Sequence, residues 1–185
     1  MRTDIIIHPF GKVPGDLLEA VRAAIERHFG VRTSLGRSLA LPEEARSPER
    51  GQYRAQMLLE ELAEGALDDG RVRLGIATVD LFAPELNFVF GEASRAAHAA
   101  VFSIARLDPR RYGEPANEKA LERRAITEAA HELGHVFGLG HCRRRDCVMW
   151  FSNTLAETDR KGDKFCEQCA RCLGPDPAVP LRQPD

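Results

Sequence analysis

The segment His131-Glu132-Leu133-Gly134-His135-Val136-Phe137-Gly138-Leu139-Gly140-His141 leaves the chain little choice of local structure. On a helix, residues four apart share a face with Cβ atoms roughly 6 Å apart, so His131 and His135 can grip a single ion. Glu132 is then held beside that ion without having to ligate it. Gly138 follows shortly after His135, and a left-handed residue there, cheap only for glycine, lets the helix stop. The chain can then swing back and deliver His141 as a third ligand. Zinc held by three protein ligands keeps its fourth tetrahedral position for water, which marks a catalytic rather than a structural site. The plainer alternative is an amphipathic core helix whose histidines are satisfied by hydrogen bonds. A bare His-Glu-x-x-His arises by accident in on the order of one such chain in a hundred, and the glycine and third histidine make coincidence far rarer.

A second pattern begins one residue later. Cys142 follows His141, Cys147 comes next, and Cys166-Glu167-Gln168-Cys169 closes a set of thiols. Pairs at this spacing suit a structural zinc, whose four thiolates fill the shell. All five cysteines of the chain fall between positions 142 and 172, which argues for a local metal clip. Disulfides are the competing reading. The odd cysteine count and the lack of an apolar leader favour a reducing, cytoplasmic setting. Cys172 makes a second, overlapping C-x-x-C with Cys169 and stays open as an alternative ligand.

Adjacent side chains cannot easily serve one ion, so His141 and Cys142 imply two zincs on opposite sides of a short backbone stretch. The thiolate clip would then fix the loop that presents the third histidine.

The rest of the chain supplies a scaffold. At 185 residues with 43% hydrophobic content, one domain with a sizeable core is expected. A net charge of −2 gives no reason to expect nucleic acid or an anionic membrane. No stretch approaches the ~20 apolar residues of a membrane span. Arg143-Arg144-Arg145 falls inside the thiol cluster, where it would offset the negative charge of four thiolates on one zinc.

Read by periodicity, strands are expected at Asp4–Ile7, Val31–Leu35, Val72–Thr78, Leu86–Phe90 and Ala99–Ile104, with Leu86–Phe90 as an edge strand. Helices are expected from Pro14 to Phe29, ending at Gly30, from Glu49 to Gly65, and from near Ala116 through the histidines. Ile126, Ala129, Ala130, Leu133 and Phe137 would form the buried face of the last. That order predicts an α/β (α+β) fold, a mixed twisted sheet with helices packed against it. The proline-rich residues 174–185 are expected to be an unstructured tail.

The histidine motif through Gly138, then Cys142, Cys147, Met149 and the Cys166/Cys169 pair, resembles the signature of the archaemetzincins, zinc metallopeptidases of the metzincin group. The resemblance extends over Gly75–Phe82 and Gly91–Ala93. It implies a metzincin-like fold with the active-site helix at the cleft. Residues 1–138 would form an N-terminal subdomain, and residues 139–173 a small C-terminal subdomain held by the thiolate zinc. It implies that Met149 lies beneath the histidines as an apolar floor. It also implies that Phe88 to Glu92 line a cleft in which an extended substrate pairs with an edge strand. The tyrosine that some metzincins carry two residues after this methionine is Phe151 here. Tyr53, Tyr112 and Lys119 are replacement oxyanion donors by residue type alone.

The expected chemistry is hydrolysis of a peptide or protein by a monomer carrying two zinc ions. Zinc on His131, His135 and His141 would activate water, with Glu132 as general base. Cys142, Cys147, Cys166 and Cys169 would hold the structural ion. Glu92 or Glu85 would grip a free amine if the enzyme removed N-terminal residues. Two alternatives compete: a zinc-stabilised peptide-binding protein with little or no activity, and an amidohydrolase acting on a small non-peptide substrate.

Overall fold

A computed structural model describes residues 4–64 and 70–173. The chain opens with strand β1 (Asp4–Phe10), followed by helix α1 (Gly15–Phe29). That helix buries Leu17, Leu18, Val21, Ile25 and Phe29 and stops at Gly30, whose φ of 65° is the left-handed value glycine adopts without strain. Then come β2 (Arg32–Leu35), the short pair β3 (Arg46–Ser47) and β4 (Gln52–Arg54), and helix α2 (Ala55–Ala63). Strands β5 (Val72–Ala77), β6 (Leu81–Phe82), β7 (Gly91–Ser94) and β8 (Ala99–Ser103) follow. Three helices complete the described chain: α3 (Glu118–Val136), α4 (Leu155–Lys161) and α5 (Glu167–Leu173).

Five strands form one sheet in the order β2-β1-β5-β8-β7. All its pairings are parallel except β7 with β8, which are antiparallel in the register Gly91↔Phe102 to Ser94↔Ala99. The sheet is covered on both faces, as parallel strands joined by crossovers require. Along β8, Ala100 and Phe102 join the core that includes α1 and α3, while Ala99 and Val101 join the one built on α2. Every residue of β8 is therefore buried, and Phe102 alone contributes about 1.5–3 kcal/mol by leaving water. The mixed α/β fold expected from the order of elements is the fold observed. No helix among the described residues is long and apolar enough to cross a membrane.

Two elements differ from expectation, for the same reason. The helix expected from Glu49 begins only at Ala55, because Gln52–Arg54 is a strand paired with Leu81–Phe82. Tyr53 N–H donates to Asp80 O at 2.8 Å, and Gln52 Nε2 donates to both Asp80 Oδ2 and Asn87 O. The edge strand expected at Leu86–Phe90 is instead a loop in which Val89 alone bridges to Leu81, and the edge strand is Gly91–Ser94. Arg50 Nη2 donates to the carbonyls of Leu86 and Asn87 at 2.7 and 3.0 Å, so those groups are taken before a ladder can use them. Tertiary partners thus outweigh the local pattern at both places. Helix α3 starts at Glu118 rather than near Ala116, with the Asn117 side chain capping Ala120 N–H at 3.0 Å. Residues 65 and 174–185, the expected helix end and unstructured tail, lie outside the described residues.

Candidate metal centre

Helix α3 brings His131 and His135 onto one face. Their rings stand nearly perpendicular, with centroids 4.7 Å apart and the two Nε2 atoms 3.2 Å apart. After Val136 the helix closes through Gly138, at φ 90°. Gly138 N–H donates to His135 O and Leu139 N–H to Gly134 O, the paired bonds of a Schellman turn. That turn also places the Leu139 carbonyl 2.8 Å from His135 Nδ1, while the Val148 carbonyl lies 2.8 Å from His131 Nδ1. A carbonyl only accepts, so each Nδ1 carries the proton and each Nε2 presents a lone pair. Two lone pairs at 3.2 Å repel unless a cation stands before both. Burial pushes His131 well below the ordinary 6.5, with the Lys161 ammonium and His135 adding to it, and burial lowers His135 as well, which favours the neutral, ligating form of both rings.

His141 arrives from the loop beyond the turn, its ring 4.8 Å from His135 and 5.5 Å from His131. The ligating nitrogens of these three residues lie within 4.8 Å of one another, so the group could hold a metal ion. Tetrahedral zinc with bonds of 2.0–2.1 Å would set nitrogens about 3.3–3.4 Å apart, close to the spacing of the helical pair.

Met149 is fully buried against the histidine helix. A Cβ built on Gly134 would collide with Met149 Sδ, so the thioether presses directly on the helix backbone inside the histidine motif.

Four thiols form the second group. Cys142, Cys147, Cys166 and Cys169 also have their sulfurs within 4.8 Å, and the 3.8 Å between Cys142 and Cys166 equals the separation expected of two thiolates on one zinc, about 3.8 Å for 2.3 Å bonds. Cys172 is not in the group. Burial raises Cys147, and burial together with Cys166 raises Cys169. At Cys166 burial also pushes upward, but hydrogen bonds from the Cys169 backbone and neighbouring thiols outweigh it and bring the group to about 7. A set in which one thiol ionises easily and its neighbours resist is one that a divalent cation completes. The group is tied to the histidines through the backbone: Cys142 N–H donates to Met149 O at 2.8 Å. Arg144 N–H lies 3.5 Å from Cys142 Sγ, which places the arginine run beside the thiols, while the Arg144 guanidinium pairs with Asp146.

The histidine group opens on a cleft of about 540 Å³. The histidines and Glu132 form one wall, and Leu86 to Ala93 form the other. Phe151 closes one end, its ring 4.9 Å from His141. Of the residues nominated from sequence, Glu92 lines the cleft, whereas Glu85, Tyr53, Tyr112 and Lys119 do not. Tyr112 instead donates to the Arg106 carbonyl at 3.0 Å. Burial holds Glu92 above the usual carboxylate range against the pull of Arg54.

Glu132 is 5% exposed. Burial and then the neighbouring Glu128 hold its carboxyl well above the usual range, with Lys161 pulling it back. Glu128 and Lys161 are the residues that sequence reading missed. Glu128 precedes Glu132 by one turn on the histidine face, which its spacing from His131 and Glu132 could have shown. Lys161, on α4, carried no such signal. Glu128 Oε1 accepts from Thr158 Oγ1 at 3.1 Å and pairs with Lys161 Nζ at 3.2 Å.

The sequence profile of peptidase family M54 matches residues 28–174. The archaemetzincin of Pyrococcus abyssi is 41% identical over 175 residues, covering 91% of this chain and 93% of that protein. Among solved structures, archaemetzincin from Methanopyrus kandleri superposes with a TM-score of 0.81 at 37% identity, covering 93% of each chain. A zinc-dependent peptidase from Methanocorpusculum labreanum gives a TM-score of 0.82 at 31% identity, covering 89% of this chain and 97% of that one.

Proposed function

The chain belongs to peptidase family M54 and is a zinc metallopeptidase, and on that premise we propose that His131, His135 and His141 hold the zinc at which peptides are cut, with Glu132 as general base. The observation that carries this reading is the pair of Nε2 lone pairs 3.2 Å apart, each fixed by a carbonyl behind it, with a buried carboxylate on the same helix turn. Zinc bound there supplies a Lewis acid that lowers the pKa of water and polarises a carbonyl. Glu132 accepts the attacking water's proton at its carboxylate and delivers it to the departing amine nitrogen. The antiparallel ladder puts Phe90 and Ser103 in a hydrogen-bonded pair, so the N–H and C=O of Gly91 point away from β8 toward the open edge. An extended peptide can bond to them there, which supports substrate binding by strand addition.

A second zinc, on Cys142, Cys147, Cys166 and Cys169, is the structural ion of this reading, and it holds residues 139–173 against residues 1–138. Four cysteines gathered for a zinc and an odd fifth support a reducing, cytoplasmic setting. Of the exposed large apolar side chains among the described residues, Leu86 and Phe151 face the cleft while Leu35 and Tyr112 stand apart from it, which supports a monomer. A peptide-binding protein without turnover has no use for a carboxylate where Glu132 stands. The test is zinc per chain together with cleavage of a mixed peptide library by the native protein and Glu132→Gln. Two zincs in both proteins with cleavage by the native one alone is the expected result. Cleavage by both, or by neither, refutes the assignment.

A further inference from the structure

Gly91 lies on the open edge strand and faces Glu132. A Cβ built on Gly91 would stand 2.6 Å from Glu132 Oε1 and 2.7 Å from both Cδ and Cγ. Nonbonded carbon contacts are most favourable near 3.5–4.0 Å, so the two side chains cannot share this space as it stands. Nothing in the backbone asks for glycine here: Gly91 is not among the residues with positive φ, and it pairs regularly with Phe102. The requirement is room. Retreat into the protein is closed to Glu132, because it is 5% exposed and Glu128 and Lys161 occupy the same buried region, so an added Cβ would displace the carboxylate along the cleft.

We propose that Gly91 is a positioning residue for the hydrolysis, its missing side chain setting where the Glu132 carboxylate stands in the cleft. The inference rests on the reading of Glu132 as general base. A second role for Gly91 is separable from this one. Its main-chain groups face the cleft, but alanine keeps those groups, so damage to peptide pairing would appear in KM and damage to the base in kcat.

The experiment is a double-mutant cycle in the zinc-loaded protein, combining Gly91→Ala with Glu132→Ala. Gly91→Ala alone is expected to lower kcat about 100-fold, the cost of a misplacement near 1 Å, with zinc content unchanged and KM within about twofold. The stability loss caused by Gly91→Ala should shrink at least severalfold when residue 132 is alanine, which removes Cγ, Cδ and Oε1 together. Unchanged kcat in Gly91→Ala, an equal stability loss in both backgrounds, or an effect confined to KM would overturn the proposal. If Gly91→Ala does not fold beside the native Glu132, its pairing with Glu132→Ala should fold, and failure of that pair overturns it too. Turnover surviving in Glu132→Ala is a different outcome: it removes the general base itself, while the stability cycle still reports the contact.

Discussion

Lys161 Nζ stands 3.2 Å from Glu128 Oε1, and neither side chain has measurable contact with solvent, at 0% and 2% exposure. The ammonium also acts on all three histidines and on Glu132, so one buried cation sets the charge balance beneath the whole site. A buried pair of this kind adds little net stability over an apolar pair of the same shape, but breaking it strands a charge. Lys161→Met should therefore cost about 3–5 kcal/mol, and Lys161→Met with Glu128→Leu should recover most of it. Denaturant midpoints of the three proteins check this, and equal losses in the single and double variants would show that the pairing is not what matters.

Gly134 and Met149 give a test in which two effects oppose each other. Alanine is a better helix former than glycine by about 1 kcal/mol, so propensity alone makes Gly134→Ala stabilising. The Cβ, however, would collide with the Met149 thioether. Overpacking of this sort costs about 1–3 kcal/mol and should win. The expected outcome is a lower unfolding free energy and faster zinc release to a chelator. A stabilised Gly134→Ala would mean that Met149 moves aside freely and does not floor the site.

The thiol group and the histidine group are coupled through one peptide unit, since Cys142 follows His141 and its N–H is bonded to Met149 O. Cys166→Ala should reduce zinc to about one per chain and weaken what the histidines hold roughly 10–100-fold, the usual cost of losing a supporting partner. Cys172→Ala, outside the group, should leave both zinc content and turnover near native. Metal analysis beside chelator competition reads both variants. Full activity in Cys166→Ala would uncouple the two sites.

Much of this site was legible in the sequence, because its chemistry is local. The spacing of His131 and His135 on one helix, the glycine that ends that helix and the histidine beyond it are all fixed within a few residues. The thiols were legible as a cluster with Cys166 and Cys169 preferred, and the sulfur distances group those two, not Cys172, with Cys142 and Cys147. What stayed hidden depends on partners far along the chain. Gly91 meets Glu132, Glu128 meets Lys161, and Arg50 captures the carbonyls of Leu86 and Asn87, and no periodicity reports such meetings. The same holds for the fold: the central strands were readable from apolar runs, while Gln52–Arg54 became a strand through Asp80 and Leu81.

The carboxyl of Glu132 makes a pH prediction with a definite sign. Burial, then Glu128, raises its pKa above the ordinary 4.5 in the folded protein. Above about pH 4.5 the unfolded chain releases this proton while the folded chain keeps it, so the unfolded state binds fewer protons and stability falls as pH rises. The contribution is fully present below the unfolded value and is lost as pH climbs through the folded one. Glu132→Gln replaces the group with a neutral amide and removes that slope. The comparison is made after a weak chelator has stripped the open histidine site, leaving a closed thiolate site loaded. Near pH 4 the two proteins should then unfold at similar denaturant concentrations, and toward pH 8 Glu132→Gln should become progressively the more stable. The histidines titrate in both proteins and cancel in the difference. Returning zinc should shrink the gap, because a nearby cation favours the ionised carboxylate. A difference that stays flat with pH, or grows in the opposite direction, would mean that Glu132 is already ionised without the metal and that its burial does not set its proton affinity.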